Sequence, residues 1–158
     1  MTGDAAQCRP RLGCGAVVIR TDGKLLLGKR RRAPEAGCWG WLGGKVEWME
    51  AVQDAVAREI REEADVEIRI VRLLCVVDQF ETELTPPQHW VSPVYLADHI
   101  AGDARVMEPG AIEALGWFDA SSLPQPITHA VRVALPFLAG GKPADQSRSY
   151  EAHRKAAL

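Results

Sequence analysis

The chain has no excess charge of either sign, no long apolar run and no paired cysteine motif. Its 158 residues carry 19 Lys and Arg against 21 Asp and Glu, a formal net charge of -2. There is thus no global field of the kind that gathers nucleic acid or an anionic membrane. Any anionic partner must be met locally. No apolar stretch approaches the roughly 20 residues of a membrane span, and no secretory leader is legible. Cys8, Cys14, Cys38 and Cys75 form neither a C-x-x-C pair nor a zinc spacing, so they read as reduced thiols in a soluble, cytoplasmic protein. Repeats and low-complexity blocks are missing as well. What is present is 47% hydrophobic and 25% charged residues, an ordinary composition for one domain with a real core.

The text divides into β-rich and helical runs. "LGCGAVVIRTDGKLLLGKR" gives two strands around Asp22-Gly23, a hairpin signal because glycine supplies the left-handed turn conformation. Residues 31–41 read as a loop broken by Pro34, Gly37 and Gly40. Ala51 to Ala64, free of Gly and Pro, is the clearest helix. Strands are expected over Val66–Thr82 and His89–Ile100 around a Pro86-Pro87 turn, with a short strand from Leu115. A second helix is expected over Thr128–Ala139, interrupted at Pro136. The order predicts a mixed sheet covered by helices. Residues 1–11 read as a flexible N-terminus, 12–140 as the domain and 141–158 as a polar tail.

Within the first helix, "EIREE" sets Glu59, Glu62 and Glu63 in its last turns. At 100° per residue from Val52, the apolar stripe runs through Val56 at about 40° and Ile60 at about 80°. Glu59 then lies at about -20° and Glu63 at about 20°, inside that stripe, with Glu62 on its flank at about -80°. Acids at this end oppose the helix dipole, costing roughly 0.3 to 1 kcal/mol, and the Glu59/Glu63 repulsion adds roughly 0.2 to 0.5 kcal/mol. A cation should offset this. Arg58 and Arg61 lie at other angles and are not expected to cover all three acids, whereas a hard divalent ion suits an oxygen cluster. A solvated acidic helix end is the competing reading at this point.

Gly44, Glu50 and then Arg58-Glu59-Ile60-Arg61-Glu62-Glu63-Ala64-Asp65-Val66 resembles the signature of the Nudix hydrolases, G-x5-E-x7-R-E-U-x-E-E-x-G-U, where U is a bulky aliphatic. Asp65 is the departure, standing where the family has glycine. Leu42 and Met49 stand where many members have proline and glycine. The flanking "LLLGKR", "GCWGWLGGKVE", "HWVSPVYLA" and "MEPGAIEALGWFDASSLP" are similar to segments of MutT-type members acting on nucleoside triphosphates, and they extend the likeness from Leu12 to Ala139.

The resemblance implies an α/β (α+β) Nudix fold, a mixed β-sheet sandwiched between helices in an α/β/α arrangement. It implies Mg²⁺-dependent hydrolysis, with Mn²⁺ as a substitute, of a nucleoside diphosphate linked to another group. The first expectation is a (d)NTP cleaved to NMP and pyrophosphate by water attack on phosphorus. An ADP-ribose or nucleotide-sugar diphosphohydrolase is the second. A non-catalytic nucleotide or metabolite sensor is the third, disfavoured by the intact acids. Glu59, Glu62, Glu63 and the Gly44 carbonyl would hold metal, and Arg58 with Glu50 would orient the cluster. Arg30 and Lys45 would meet phosphate, Glu47 would make a more distant substrate contact, and Gln79 and Phe80 would line the pocket. Glu113, ahead of Glu108, is the candidate for a further acid near the metals or the water, against the alternative of a surface glutamate. His89 is a candidate base contact, although a lone strand histidine is more often structural. Trp39, Trp41, Trp48, Trp90 and Trp117 contain candidates for a stacking surface, against plain packing. The partner would be a small nucleotide rather than a polymer or a membrane, and a homodimer is left open.

Overall fold

The computed structural model describes residues 9–140. The tail expected from 141, and most of the expected flexible N-terminus, lie outside the described residues. In chain order the elements are β1 (Arg11–Ile19), β2 (Leu25–Arg30), β3 (Trp39–Gly40), β4 (Leu42–Lys45), α1 (Val52–Ala64), β5 (Glu67–Glu81), β6 (Gln88–Ala101), β7 (Ile112–Phe118) and α2 (His129–Leu138). Among the described residues the strands form one sheet, ordered β3-β2-β1-β6-β5, with β4 also on β1 and β7 on β2. The β1/β6 pair is parallel and the other pairs are antiparallel. The sheet is therefore mixed.

Alternation along β1 builds two cores. Cys14, Ala16 and Val18 face α1 and pack with Val56, Ile60 and Ala64. Val17 faces the other way, with Leu25, Leu27, Val77 and Val94, against Val131 and Ala134 of α2. One helix covers each face, giving the sandwich expected from the resemblance. Within the described residues no helix is long and apolar enough to cross a membrane.

Three sequence expectations need correction. The stretch 31–41 is not loop to its end, because β3 starts at Trp39 and the glycine pair that follows is itself strand, with β4 pairing Gly13 to Ala16 of β1. A strand edge left open there would carry unpaired backbone groups, and β4 satisfies them. Pro136 does not interrupt α2, which continues to Leu138. So near the C-terminal end the proline removes one hydrogen bond at most. The strand expected from Leu115 begins at Ile112, where the chain pairs with Arg30.

Candidate active site

The end of α1 and the strand beside it form one charged cluster. Val56, Ile60 and Ala64 are buried along the stripe the periodicity marked, and Glu59 and Glu63 on the same side are half-buried while Glu62 is exposed. The helix ends on Asp65, which adopts the left-handed conformation (φ 56, ψ 37) and donates its backbone N–H to the Arg61 carbonyl. Asp65 thus does the work of the family's glycine, and its carboxylate pairs with Arg105 at 2.6 Å.

Arg58 covers more of the acids than its helical angle implied. Its guanidinium donates to Glu50 at 2.8 and 2.9 Å, to Glu59 at 3.0 Å, to Glu62 at 3.1 Å and to the Lys45 carbonyl at 3.0 Å. Glu50, bonded to Arg58 and to the Glu47 N–H, is held down to a pKa of about 2. Arg58 thus reaches two of the three acids, Glu59 and Glu62, and does not cover all three.

Glu63 is not among Arg58's partners. Its Oε2 accepts the Gly43 N–H at 3.0 Å. Burial pushes its pKa up to about 8, against the Gly43 hydrogen bond, with the charges of Glu59 and Glu108 raising it further and Arg30 lowering it. Glu59 is also raised, first by burial, with Arg58 opposing. Two acids held against ionisation, four residues apart, form an electrostatic deficit that a divalent cation would offset.

The backbone is shaped to the same cluster. A Cβ on Gly44 would collide with the Glu59 carboxylate, and one on Gly43 (φ 155) would strike the Cys14 carbonyl oxygen. A side chain at either position would displace the acids or the strand. Among the described residues, however, no three His, Cys, Asp or Glu side chains converge on one point in a metal-holding arrangement. Arg58 draws Glu59 and Glu62 aside, and Gly43 holds Glu63. The donor set fits a hard cation in kind, all oxygen and short of positive charge, and binding would require the carboxylates to turn away from Arg58.

A cavity of about 480 Å³ opens beside this cluster. Its floor comes from alternate residues of one sheet face: Arg11, Gly13 and Gly15 of β1, Trp90, Ser92 and Val94 of β6, and Val77 and Gln79 of β5. Glycine at two of the β1 positions leaves that floor bare, which makes room for a ligand. Glu63 reaches the cavity from the α1 side, and Arg11, Arg30, Arg32 and Lys45 line it as cations.

Arg30, Gly44, Lys45, Glu63 and Gln79 thus meet at one cavity, with Glu59 and Glu62 beside it through Arg58. Other expectations are not met. Phe80 and His89 do not line the cavity; they are cross-strand neighbours whose rings stack at 4.4 Å, one residue out of phase with Gln79 and Trp90. A period of two turns them to the opposite face. Glu47 is exposed, and only its backbone N–H joins the network, through Glu50. Glu113 is exposed on β7 and bonded to Lys29 at 3.1 Å, whereas the further acid whose charge reaches Glu63 is Glu108. Of the tryptophans, Trp41 and Trp90 line the cavity, while Trp48 stands 92% exposed.

Sequence reasoning missed Arg11, Ser92 and Glu35. The alternation Arg11, Gly13, Gly15 could have indicated a bare strand face with a cation at its end. Glu35 gave no signal, being a loop residue at φ 57.

A NUDIX domain model matches residues 9–138. The chain is 37% identical over 108 residues to an ADP-ribose pyrophosphatase of Methanocaldococcus jannaschii, a match covering 68% of this chain and 62% of that protein. It is 43% identical over 56 residues to a CTP pyrophosphohydrolase of Escherichia coli, covering 35% and 42%. These curated relatives are thus matched over less than two thirds of their length. Among solved structures, a MutT NUDIX hydrolase from Burkholderia pseudomallei superposes with a TM-score of 0.75 at 56% identity, covering 80% of this chain and 96% of that one.

Proposed function

The chain belongs to the NUDIX family, and on that premise we propose that it is a nucleoside-triphosphate pyrophosphohydrolase, converting a (d)NTP and water to a nucleoside monophosphate and pyrophosphate. Hydrolases of this family use divalent metal ions; Mg²⁺, with Mn²⁺ able to replace it, is the ion we assign. The observation that carries the reading is the meeting of Glu63 with four cations, Arg11, Arg30, Arg32 and Lys45, around one cavity. So dense a set of positive charge suits a triphosphate.

Glu59, Glu62, Glu63 and the Gly44 carbonyl would hold the ion. When bound it supplies charge neutralisation at phosphorus and lowers the pKa of coordinated water. Arg58 gathers Glu50, Glu59 and Glu62 beside the cavity through its hydrogen bonds, and Glu59 and Glu62 would turn from it toward the ion while Glu50 keeps it in place. Arg30 and Lys45 orient the phosphate oxygens, with Arg32 beside them, and Arg11, over the Trp90 ring at 5.5 Å, adds positive charge farther along the cavity. Glu63 is steadied for its part in holding the ion by the Gly43 N–H, which donates to its Oε2. The charge of Glu108 adds to the negative potential at Glu63 that the ion would offset.

The likeness to an ADP-ribose pyrophosphatase favours a second reading, cleavage of ADP-ribose to AMP and ribose 5-phosphate. A nucleotide panel incubated with Mg²⁺, with the products separated, decides between them: pyrophosphate from triphosphates supports the first, AMP from ADP-ribose the second. A cytoplasmic setting and a homodimer belong to the same reading, tested by cell fractionation and by mass in solution.

A further inference from the structure

The cavity has a second polar end, on β5. From β4, which carries Gly44, the sheet passes through β1 and β6 to β5, three strand spacings or roughly 14 Å. That is the reach of an extended nucleotide from its phosphates to its base. Gln79 lies there, directly across from Trp90, and both line the cavity.

The Gln79 amide is fixed by its neighbours. Its Nε2 donates to Glu35 Oε2 at 3.1 Å and also to Glu81 Oε1. Glu35 is itself anchored, since its Oε1 accepts the His129 N–H at the start of α2 at 2.7 Å, with Arg132 at 3.9 Å. Ionised carboxylates only accept hydrogen bonds. Turning the amide over would aim its oxygen at two anions, so an assignment that is often ambiguous is decided here by chemistry. Both amide protons are committed. Among the described residues Oε1 makes no hydrogen bond, and an acceptor is what Gln79 offers a ligand.

We propose that Gln79 is a specificity-determining residue whose locked carbonyl oxygen reads the exocyclic amino group of a nucleobase, favouring cytosine, adenine and guanine nucleotides over those of uracil, thymine and hypoxanthine. The proposal rests on the nucleotide reading above and names its substrate class. Glu35 lines the cavity beside Gln79 and adds negative charge at this end. A keto oxygen placed there meets like charge, and the imide N–H of uracil comes flanked by two of them. An amino group brings donors alone. The Trp90 ring, its N–H already bonded to Gln88 Oε1 at 3.0 Å, supplies an apolar surface beside it.

The test compares kcat/KM for CTP against UTP and for GTP against ITP, in the wild type, in Gln79→Met and in the conservative Gln79→Asn. The wild type should favour each amino-bearing member by about tenfold, the size of one exchanged hydrogen bond. Gln79→Met should bring both ratios within about threefold, since the carbonyl offered to the base is gone and Glu35 and Glu81 are left only on the side that the amide protons occupied, and Gln79→Asn, with its carbonyl drawn back, should fall between. A Gln79 that merely props Glu35 and Glu81 apart would lower both members equally and leave the ratios intact, which would overturn the proposal, as would a wild-type ratio near one. Binding of CMP and UMP to the metal-free wild type requires no turnover and separates the two claims. If no triphosphate is hydrolysed yet CMP binds about tenfold tighter than UMP, the reaction is misassigned and the base reading stands; equal binding overturns it.

Discussion

At the scale of single residues, the proposed chemistry is tested at Glu63 and Arg58 in different ways. Glu63 is a half-buried acid whose pKa of about 8 in the metal-free protein means the folded state keeps a proton that the unfolded state releases. Its contribution favours the fold at low pH and is withdrawn as pH rises from the ordinary carboxylate range toward 8. Glu63→Gln, which can still accept from Gly43, should raise the metal-free melting temperature at pH 8 more than at pH 5. It should also lower kcat by about 10²-fold or more. A melting gain independent of pH would mean that burial does not strain this acid. Arg58→Lys should lower kcat/KM by about ten- to a hundredfold, because a single ammonium cannot hold Glu50, Glu59 and Glu62 together; a near-normal value would remove Arg58 from the orienting role. The stripe positions of Glu59 and Glu63 were legible from periodicity alone. The reach of Arg58 was not, because side-chain rotamers are set by partners distant in the sequence. Glu35 was illegible for the same reason: its role depends on β5 and α2 meeting around it.

At the scale of elements, α1 is framed by two residues in left-handed backbone, Met49 (φ 65) before it and Asp65 (φ 56) after it. Asp tolerates this conformation better than methionine does. Met49 is 86% exposed, so its side chain gains little from packing. Met49→Gly should therefore stabilise by about 1 kcal/mol, and Asp65→Gly by less, since it also loses the exposed Arg105 pair. Thermal melts of the two variants and their combination measure this, with roughly additive gains expected because the sites share no partner. A fall in melting temperature for Met49→Gly would show that the loop depends on that side chain. The two long strands β5 and β6 and the helix α1 were legible because each is long enough to display its period. β3 and β4 were not, since two to four residues rich in glycine show no alternation. Pro136 misled because its effect depends on how close it lies to the helix end.

At the scale of the whole molecule, the sheet keeps two tasks on separate sides and joins them at one cavity. α1 presents acids from one face, and the bare glycine floor of β1 opens a cavity on the other. The fold class and the acid cluster were readable from one motif with fixed spacing. The cavity wall was only partly readable: Phe80 and Gln79 are neighbours in sequence, yet the pleat sends them to opposite faces. The most direct measurement is the product spectrum of a nucleotide panel with and without Mg²⁺, run beside Glu63→Gln. Release of nucleoside monophosphate and pyrophosphate from a triphosphate, dependent on the ion and lost in the variant, is the expected result. Turnover that persists without divalent metal or in Glu63→Gln, or orthophosphate as the first product, would contradict it.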